Sequence, residues 1–259
     1  MIGIVYFFVI LLACIIGAIV GLGGGVFIRP IFDAIGYHSV INISFFSSMA
    51  IFTMAIVSTA KKMKDGLDLK FQLALPISIG AVIGGFLGIS ILERLVANLA
   101  HEDNVQIILA AATTIIIIIA IIATLKSTTR LNLKSPVALF FIGIALGTIS
   151  SFLGIGGGPI NVPLFMILFG LPIKTATAYS IVIIFFAHGT KLITMGFTTG
   201  YGYFDLRLLP FIITAAALGG FIGANLSKVF SEATVKKLFI CALLVVICLN
   251  IFNGVRFLT

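Results

Sequence analysis

The sequence predicts an all-α integral membrane protein made of two homologous, inverted repeats, each opening on a glycine-broken helix. Three observations carry that expectation. Of the 259 residues, 61% are hydrophobic and 9% charged, and the mean hydropathy is +1.29. Apolar runs long enough to cross a bilayer recur along the whole chain. A glycine-rich motif and its flanks occur twice, in the same order.

A soluble domain carries roughly 25% charged residues. No soluble fold of this size hides so much apolar surface, so the solvent is lipid. That excludes a soluble enzyme, a disordered chain and a nucleic-acid-binding protein. The formal charge of +8 fits the lysine-rich cytoplasmic loops of a membrane protein. Cys14, Cys241 and Cys248 sit inside apolar runs with no CxxC or Cys/His spacing, and they read as core fillers. The first basic residue is Arg29, so residues 2–20 read as a retained span rather than a signal peptide.

A span needs about 20 apolar residues. Runs of that length lie near 2–36, 39–60, 69–92, 105–125, 136–171, 173–195, 206–227 and 233–254. This gives about 8 hydrophobic spans, and up to 10 segments if the two longest runs, each broken by glycines, count twice. Gly21-Leu-Gly-Gly-Gly-Val-Phe-Ile-Arg-Pro30 matches Gly154-Ile-Gly-Gly-Gly-Pro-Ile-Asn-Val-Pro163 at an offset of 133, and Gly84-Gly-Phe-Leu-Gly88 matches Gly219-Gly-Phe-Ile-Gly223 at 135. Between these blocks, Asp68-Leu-Lys70 resembles Asp205-Leu-Arg207. The chain therefore divides into an N-terminal repeat over 1–125, a basic cytoplasmic linker over 126–135 and a C-terminal repeat over 136–259.

Charge decides the relative orientation. With four crossings per half, Lys and Arg divide ten inside to six outside. With five they divide twelve to four, Arg29, Arg130 and Lys134 counting inside and Lys191 outside. The positive-inside rule prefers five crossings, hence inversion.

The candidate site begins at the glycines. A stretch with four glycines in five residues holds no good helix, since each costs about 1 kcal/mol relative to alanine. Unwound backbone in lipid survives only against protein or a water-filled cavity. Where a helix restarts, its free N–H groups and positive dipole end suit an anion. Two such restarts aimed at one centre form the layout of a secondary transporter, with Gly23, Gly24, Gly25 and Gly156, Gly157, Gly158 at the ligand. Pro159 favours the second restart. The competing reading is close helix packing through small residues.

Arg29 and Asn161 fall in the first turn after each break. The Arg29 guanidinium suits a tetrahedral oxyanion, or pairs with Asp33 one turn on. Asn161 donates to a substrate or caps the interrupted helix. Thr177, Ser180, Ile184, His188 and Lys191 follow helical spacing and share one face, which should turn inward; Lys191 can alternatively snorkel. Ser44, Ser47 and Ser48 occupy the matching span, where hydroxyls can also bond back to their own helix. Of the eight acids, only Asp33 reads as deep. A cation site wants buried carboxylates, so the ligand should be an anion. Without HExxH, GxSxG or paired deep aspartates, no catalytic residue, metal ligand or cofactor is expected.

The doubled GxGGGxxxxP, the halves of similar length and the repeated Gly-Gly-Phe-Leu/Ile-Gly blocks resemble the sulfite exporter TauE/SafE family, also called the 4-toluene sulfonate uptake permeases. The resemblance covers essentially the whole chain. It implies secondary transport of sulfur-containing anions (sulfite, sulfoacetate, organosulfonates), mostly across bacterial plasma membranes, with the anion near the two glycine triplets. The family's Thr-Ser pair reads Thr177-Ala-Tyr-Ser180 here.

The expectation is a multi-pass, plasma-membrane secondary transporter working by alternating access, with no enzymatic activity. An anion channel is the neighbouring alternative; a membrane enzyme or scaffold is the remoter one. Its partners would be the anion, the lipid bilayer, a coupling ion (proton or sodium, the proton carried by His188) and a second copy in a homodimer.

Overall fold

The computed structural model describes residues 2–66, 70–99, 102–126, 131, 133 and 135–258. Asp68, Arg130 and Lys134, which the sequence reading assigned to connectors, lie outside the described residues. The described residues form ten α-helices: α1 (Ile2–Val20), α2 (Gly25–Ile35), α3 (Val40–Lys64), α4 (Phe71–Asn98), α5 (Glu102–Leu125), α6 (Pro136–Leu153), α7 (Gly158–Phe169), α8 (Ile173–Thr198), α9 (Leu209–Val229) and α10 (Glu232–Leu258). Eight of them are long and apolar enough to cross a membrane. The exceptions are α2, with 11 residues, and α7, with 12.

The glycine breaks do more than interrupt one long helix. They reverse the chain. Gly23 and Gly24, with φ of 85° and 72°, and Gly156 and Gly157, with 89° and 66°, turn it through the left-handed region that side chains disfavour. The short helix then runs back along its predecessor. Tyr6 near the start of α1 stacks on Phe32 near the end of α2, ring centroids 3.9 Å apart, while Cys14 lies against Gly24.

The first five helices and the last five repeat the same order of long and short members. Their packing repeats as well. α1 packs on α9 and α4 on α6; α3 packs on α9 and α4 on α8; α2 lies along α3 and α7 along α8. Exchanging the two sets of five maps each pair onto its counterpart, and α3·α8 and α5·α10 onto themselves. Contacts between neighbouring helices give the directions. Gly80, Gly84 and Gly88 meet α6 successively at Phe140, Thr148 and Phe152, so α4 and α6 run parallel. Gly219 meets Leu11 and Gly223 meets Ala18, so α1 and α9 run parallel too. By contrast, Ser44 of α3 meets Lys191 of α8, and Phe52 stacks on Phe185, so α3 and α8 run antiparallel.

These seams explain the second repeated motif. Gly84 and Gly88 on α4, and Gly219 and Gly223 on α9, let a neighbouring backbone come within contact distance; a Cβ at Gly84 would overlap the Ile144 carbonyl, and one at Gly219 would lie 2.8 Å from the Leu11 carbonyl. Small residues take this role in membranes because dispersion and close packing, rather than water exclusion, hold helices together. One expectation needs correction. Cys14 is buried, but Cys241 and Cys248 are exposed on α10. An apolar run in lipid marks core and lipid-facing surface alike, so hydropathy does not separate them.

Gly84→Leu should cost about 2 kcal/mol or more through overpacking of the α4–α6 seam, read as a lower unfolding midpoint in SDS. Leu87→Val, on the exposed side of the same helix, should leave it in place; equal effects would mean that the seam is not what the glycine protects.

Candidate functional site

The two breaks cross one another at the centre of the bundle. A Cβ on Gly158 would overlap Leu22 and the Gly21 carbonyl, and one on Gly25 would lie 2.9 Å from the Gly154 carbonyl. Gly23 and Gly156 face each other, a Cβ on either falling 3.4 Å from the other's Cα. Gly23, Gly25, Gly156 and Gly158 are thus engaged in backbone-to-backbone packing, the competing reading of the motif. Gly24 and Gly157 supply the last residue before each restarted helix. Pro159 sits in the first turn of α7, as its fixed φ favours.

What surrounds the two crossings differs sharply. The first break is packed by Cys14, Thr177, Ile51 and Ile184. The second is ringed by polar side chains. A Cβ on Gly154 would lie 2.8 Å from Arg29 Nη1, 3.6 Å from Lys191 Nζ and 3.7 Å from Ser44 Oγ; one on Gly157 would lie 2.9 Å from Ser150 Oγ and 3.4 Å from Asn161 Nδ2.

The two cations of this ring are placed by a helix end. Arg29 Nη1 donates to the Leu153 carbonyl at 2.9 Å. Lys191 Nζ donates to the Ser151 carbonyl and to Ser44 Oγ, both at 2.7 Å. These carbonyls belong to the last turn of α6, where intrahelical partners run out and the dipole is negative, so two cations cap it. Arg29 Nε also lies 3.8 Å from Asp33 Oδ2, the i,i+4 ion pair. Ser150 Oγ and His188 Nε2 are 3.3 Å apart. Arg29 is 3% exposed, and Ser44, Asn161, His188 and Lys191 are fully buried.

The α8 stripe therefore faces inward along its length, and Lys191 does not snorkel. Its hydroxyls are not equivalent. Thr177 bonds back to the Lys174 carbonyl at 2.7 Å, while Ser180 crosses to the Gly21 carbonyl at 2.8 Å and holds the first break. Both are occupied structurally and stand apart from the polar ring. On α3, Ser48 bonds back to the Ser44 carbonyl at 2.7 Å.

Several buried atoms keep no hydrogen-bond partner. They include Asn161 Oδ1 and Nδ2, Arg29 Nε and Nη2, and His188 Nδ1. Asn161 does not cap α7, the alternative open at the sequence level. Ser150 and Ser151 escaped the sequence reading; they end an apolar helix and look like ordinary small residues there. Their position three and four residues before Gly154, on the last turn entering the break, is the signal that was available. Among the described residues no group of three or more His, Cys, Asp or Glu could hold a metal.

Comparison with known families places this architecture. The family described as "Sulfite exporter TauE/SafE" matches over residues 6–249. The chain belongs to the sulfite exporter TauE/SafE family. It is a multi-pass membrane protein of that family. Among individual relatives, YunE of Bacillus subtilis is 31% identical over 44% of this chain and 42% of its own length. MamO of Magnetospirillum gryphiswaldense is 25% identical over 88% of this chain and 42% of its own length. YdhB of Bacillus subtilis is 22% identical over 88% of this chain and 91% of its own length. Each is named a probable membrane transporter protein. The TauE/SafE chain thus spans less than half the length of two of these relatives and nearly all of the third. Both organisms are bacteria, in keeping with a plasma-membrane location. No solved structure matches.

Among the described residues the polar ring holds two buried cations and one ion-paired carboxylate, Asp33 against Arg29. Asp33→Asn should cost about 3 kcal/mol by leaving Arg29 buried without its counter-charge. Adding Arg29→Met should recover most of that loss in a double-mutant cycle on SDS unfolding. Strictly additive costs would mean that the α6 carbonyl, not Asp33, holds Arg29.

Proposed function

We propose that the chain is a secondary transporter carrying a small sulfur-containing anion (sulfite, sulfoacetate or another organosulfonate) across the plasma membrane by alternating access. The anion binds beside the second break, against Asn161, Arg29, Lys191, Ser44 and the Ser150–His188 pair. The observation that carries this reading is the polar equipment of one break out of two. The backbone scaffold is the same at both crossings, so packing alone does not call for Arg29, Lys191, Asn161 and His188 at only one. Unpaired amide, guanidinium and imidazole atoms buried in the membrane cost free energy, which an oxyanion would recover by accepting from the donors among them. The family name supports the sulfur chemistry.

The glycines act in this reading chiefly by allowing the crossing, and α7 contributes its positive end. His188 is the one group here whose ordinary titration lies near neutrality, and it is proposed to carry the coupled proton. The two sets of five helices, covering 1–125 and 136–259, are proposed to be inverted repeats about an axis in the membrane plane. Support comes from α3 and α8, which exchange under the pseudo-two-fold yet run antiparallel; an axis along the bundle would leave exchanged helices parallel. The end of the bundle carrying Lys61, Lys62, Lys64, Lys70, Lys126, Lys174, Lys228, Lys236 and Lys237 faces the cytoplasm by the positive-inside rule. The opposite end carries Arg94, Arg207 and Arg256.

Two measurements test this. Purified protein titrated with sulfite and sulfoacetate should gain stability, by about 2.7 kcal/mol at 100 times the dissociation constant. Asn161→Ala should sharply reduce that gain while leaving the ligand-free protein equally or more stable, because the amide has no partner to lose. A ligand-free loss above about 1 kcal/mol with the anion response intact would make Asn161 structural. For topology, a cysteine replacing Tyr203 should react with an impermeant maleimide from outside intact cells, and one replacing Lys64 only after permeabilisation. The reverse pattern would overturn the orientation, and equal sidedness would overturn the inversion.

A further inference from the structure

A second polar cavity opens at the lysine-rich end of the bundle, between α3, α8 and α9. It has a volume of about 250 Å³ and is lined by Lys62, Asp65, Lys174, Thr175, Ser227 and Lys228 among others. Lys62 Nζ reaches the Ala18 carbonyl at 3.1 Å, near the end of α1. Lys174 Nζ reaches the Lys228 and Phe230 carbonyls at 3.2 and 2.9 Å, capping α9. Each ammonium has three N–H donors, so capping leaves donors over. Asp65 accepts from Lys61 at 2.8 Å, which holds its carboxyl below the usual range, and lies 3.5 Å from Lys228. Among the described residues the other carboxylate here is Glu232, which accepts from the Lys174 backbone at 3.1 Å. Lys64, Lys236 and Lys237 add to the same end, so positive charge dominates.

This cavity and the first break share α8 as a wall. Ala178 lines the cavity, and the adjacent Thr177 packs against Gly21 in the first break.

The matching place at the opposite end has the reverse character. The offset of the first motif carries Ala178 to Phe45, and that of the second carries Lys228 to Glu93. Phe45 stacks on Phe204 with centroids 4.0 Å apart and packs beside Tyr201 at 6.3 Å. Glu93 accepts from Thr198 at 2.7 Å and Thr199 at 3.2 Å. One scaffold position is thus a lysine-lined cavity at one end and an aromatic-filled, acidic corner at the other.

We propose that the lysine-lined cavity is a second anion site, a vestibule that collects a small sulfur oxyanion at the lysine-rich mouth before it reaches the second break. This rests on the transport reading above and extends it to a separate set of residues. The vestibule concentrates the anion by charge at its solvent-open mouth, while the site at the second break selects it.

Lys228→Gln, Lys62→Gln and the double variant are compared with the unaltered protein in vesicles of neutral phosphatidylcholine, with sulfite flux started from either face. The side chain of Lys228 is 64% exposed, so Lys228→Gln tests the charge without risk to folding. The expected result for the double variant is a KM about tenfold higher from the lysine-rich face at low ionic strength, with kcat and the KM from the other face unchanged. High salt should erase the difference. An unchanged KM from both faces would overturn the vestibule and leave the lysines as helix caps. Dependence on the lysines only when phosphatidylglycerol is added would overturn it as well, assigning the cavity to a lipid headgroup. If the unaltered protein moves neither sulfite nor an organosulfonate such as sulfoacetate, the transport reading fails and the vestibule is judged on binding alone: sulfate should still raise the unfolding midpoint, Lys62→Gln/Lys228→Gln should remove that rise and Asn161→Ala should keep it.

Discussion

Lipid offers no hydrogen bonds, and this chain nevertheless interrupts two helices in the middle of the membrane. Everything else in the structure follows from how that conflict is met. The two interruptions are laid against each other, so each break is sheltered by the other half of the protein. This works only because the crossing carries no side chains: Gly25 faces the Gly154 carbonyl and Gly158 faces Leu22. Ser180 of α8 reaches the Gly21 carbonyl, Arg29 of α2 reaches the Leu153 carbonyl, and the two sets of five helices become interdependent at their centre. Neither could bury its own break alone.

On this symmetric scaffold the chemistry is one-sided. Cys14, Ile51 and Ile184 pack the first crossing, while Arg29, Lys191, Ser44, Ser150, His188 and Asn161 gather at the second. The last turn of α6 explains part of the gathering, since its orphan carbonyls attract two cations. It does not explain Asn161, whose amide meets no partner. A buried group without a partner is destabilising, and natural sequences depart from local consistency mainly where function requires it. The lysine-lined cavity and the aromatic corner around Phe45 extend the same asymmetry to the two ends of the bundle.

Much of the fold was legible because lipid imposes simple rules. Hydropathy located the spans, and α8 begins where the run at 173–195 begins. The doubled motif foretold the doubled order of helices. The stripe of Thr177, Ser180, His188 and Lys191 was legible as an inward face because polar groups in a membrane helix have nowhere else to turn. Hydropathy failed where lipid and core look alike, as with Cys241 and Cys248 on the exposed side of α10. It also failed for Ser150 and Ser151, whose importance depends on what lies across from them rather than on their own helix.

The sequence by itself therefore determined the solvent, the number of spans, the two breaks and the kind of groups near them, since these depend on composition and local spacing. Only the tertiary structure decided that the chain reverses at each break, that the breaks cross in contact, and that Arg29 and Lys191 meet on the carbonyls of α6. Those outcomes join residues more than a hundred positions apart, and a local pattern holds no information on which carbonyl a distant guanidinium will reach. The glycines could be read as a ligand cradle or as a packing seam until the opposite backbone was seen lying against them.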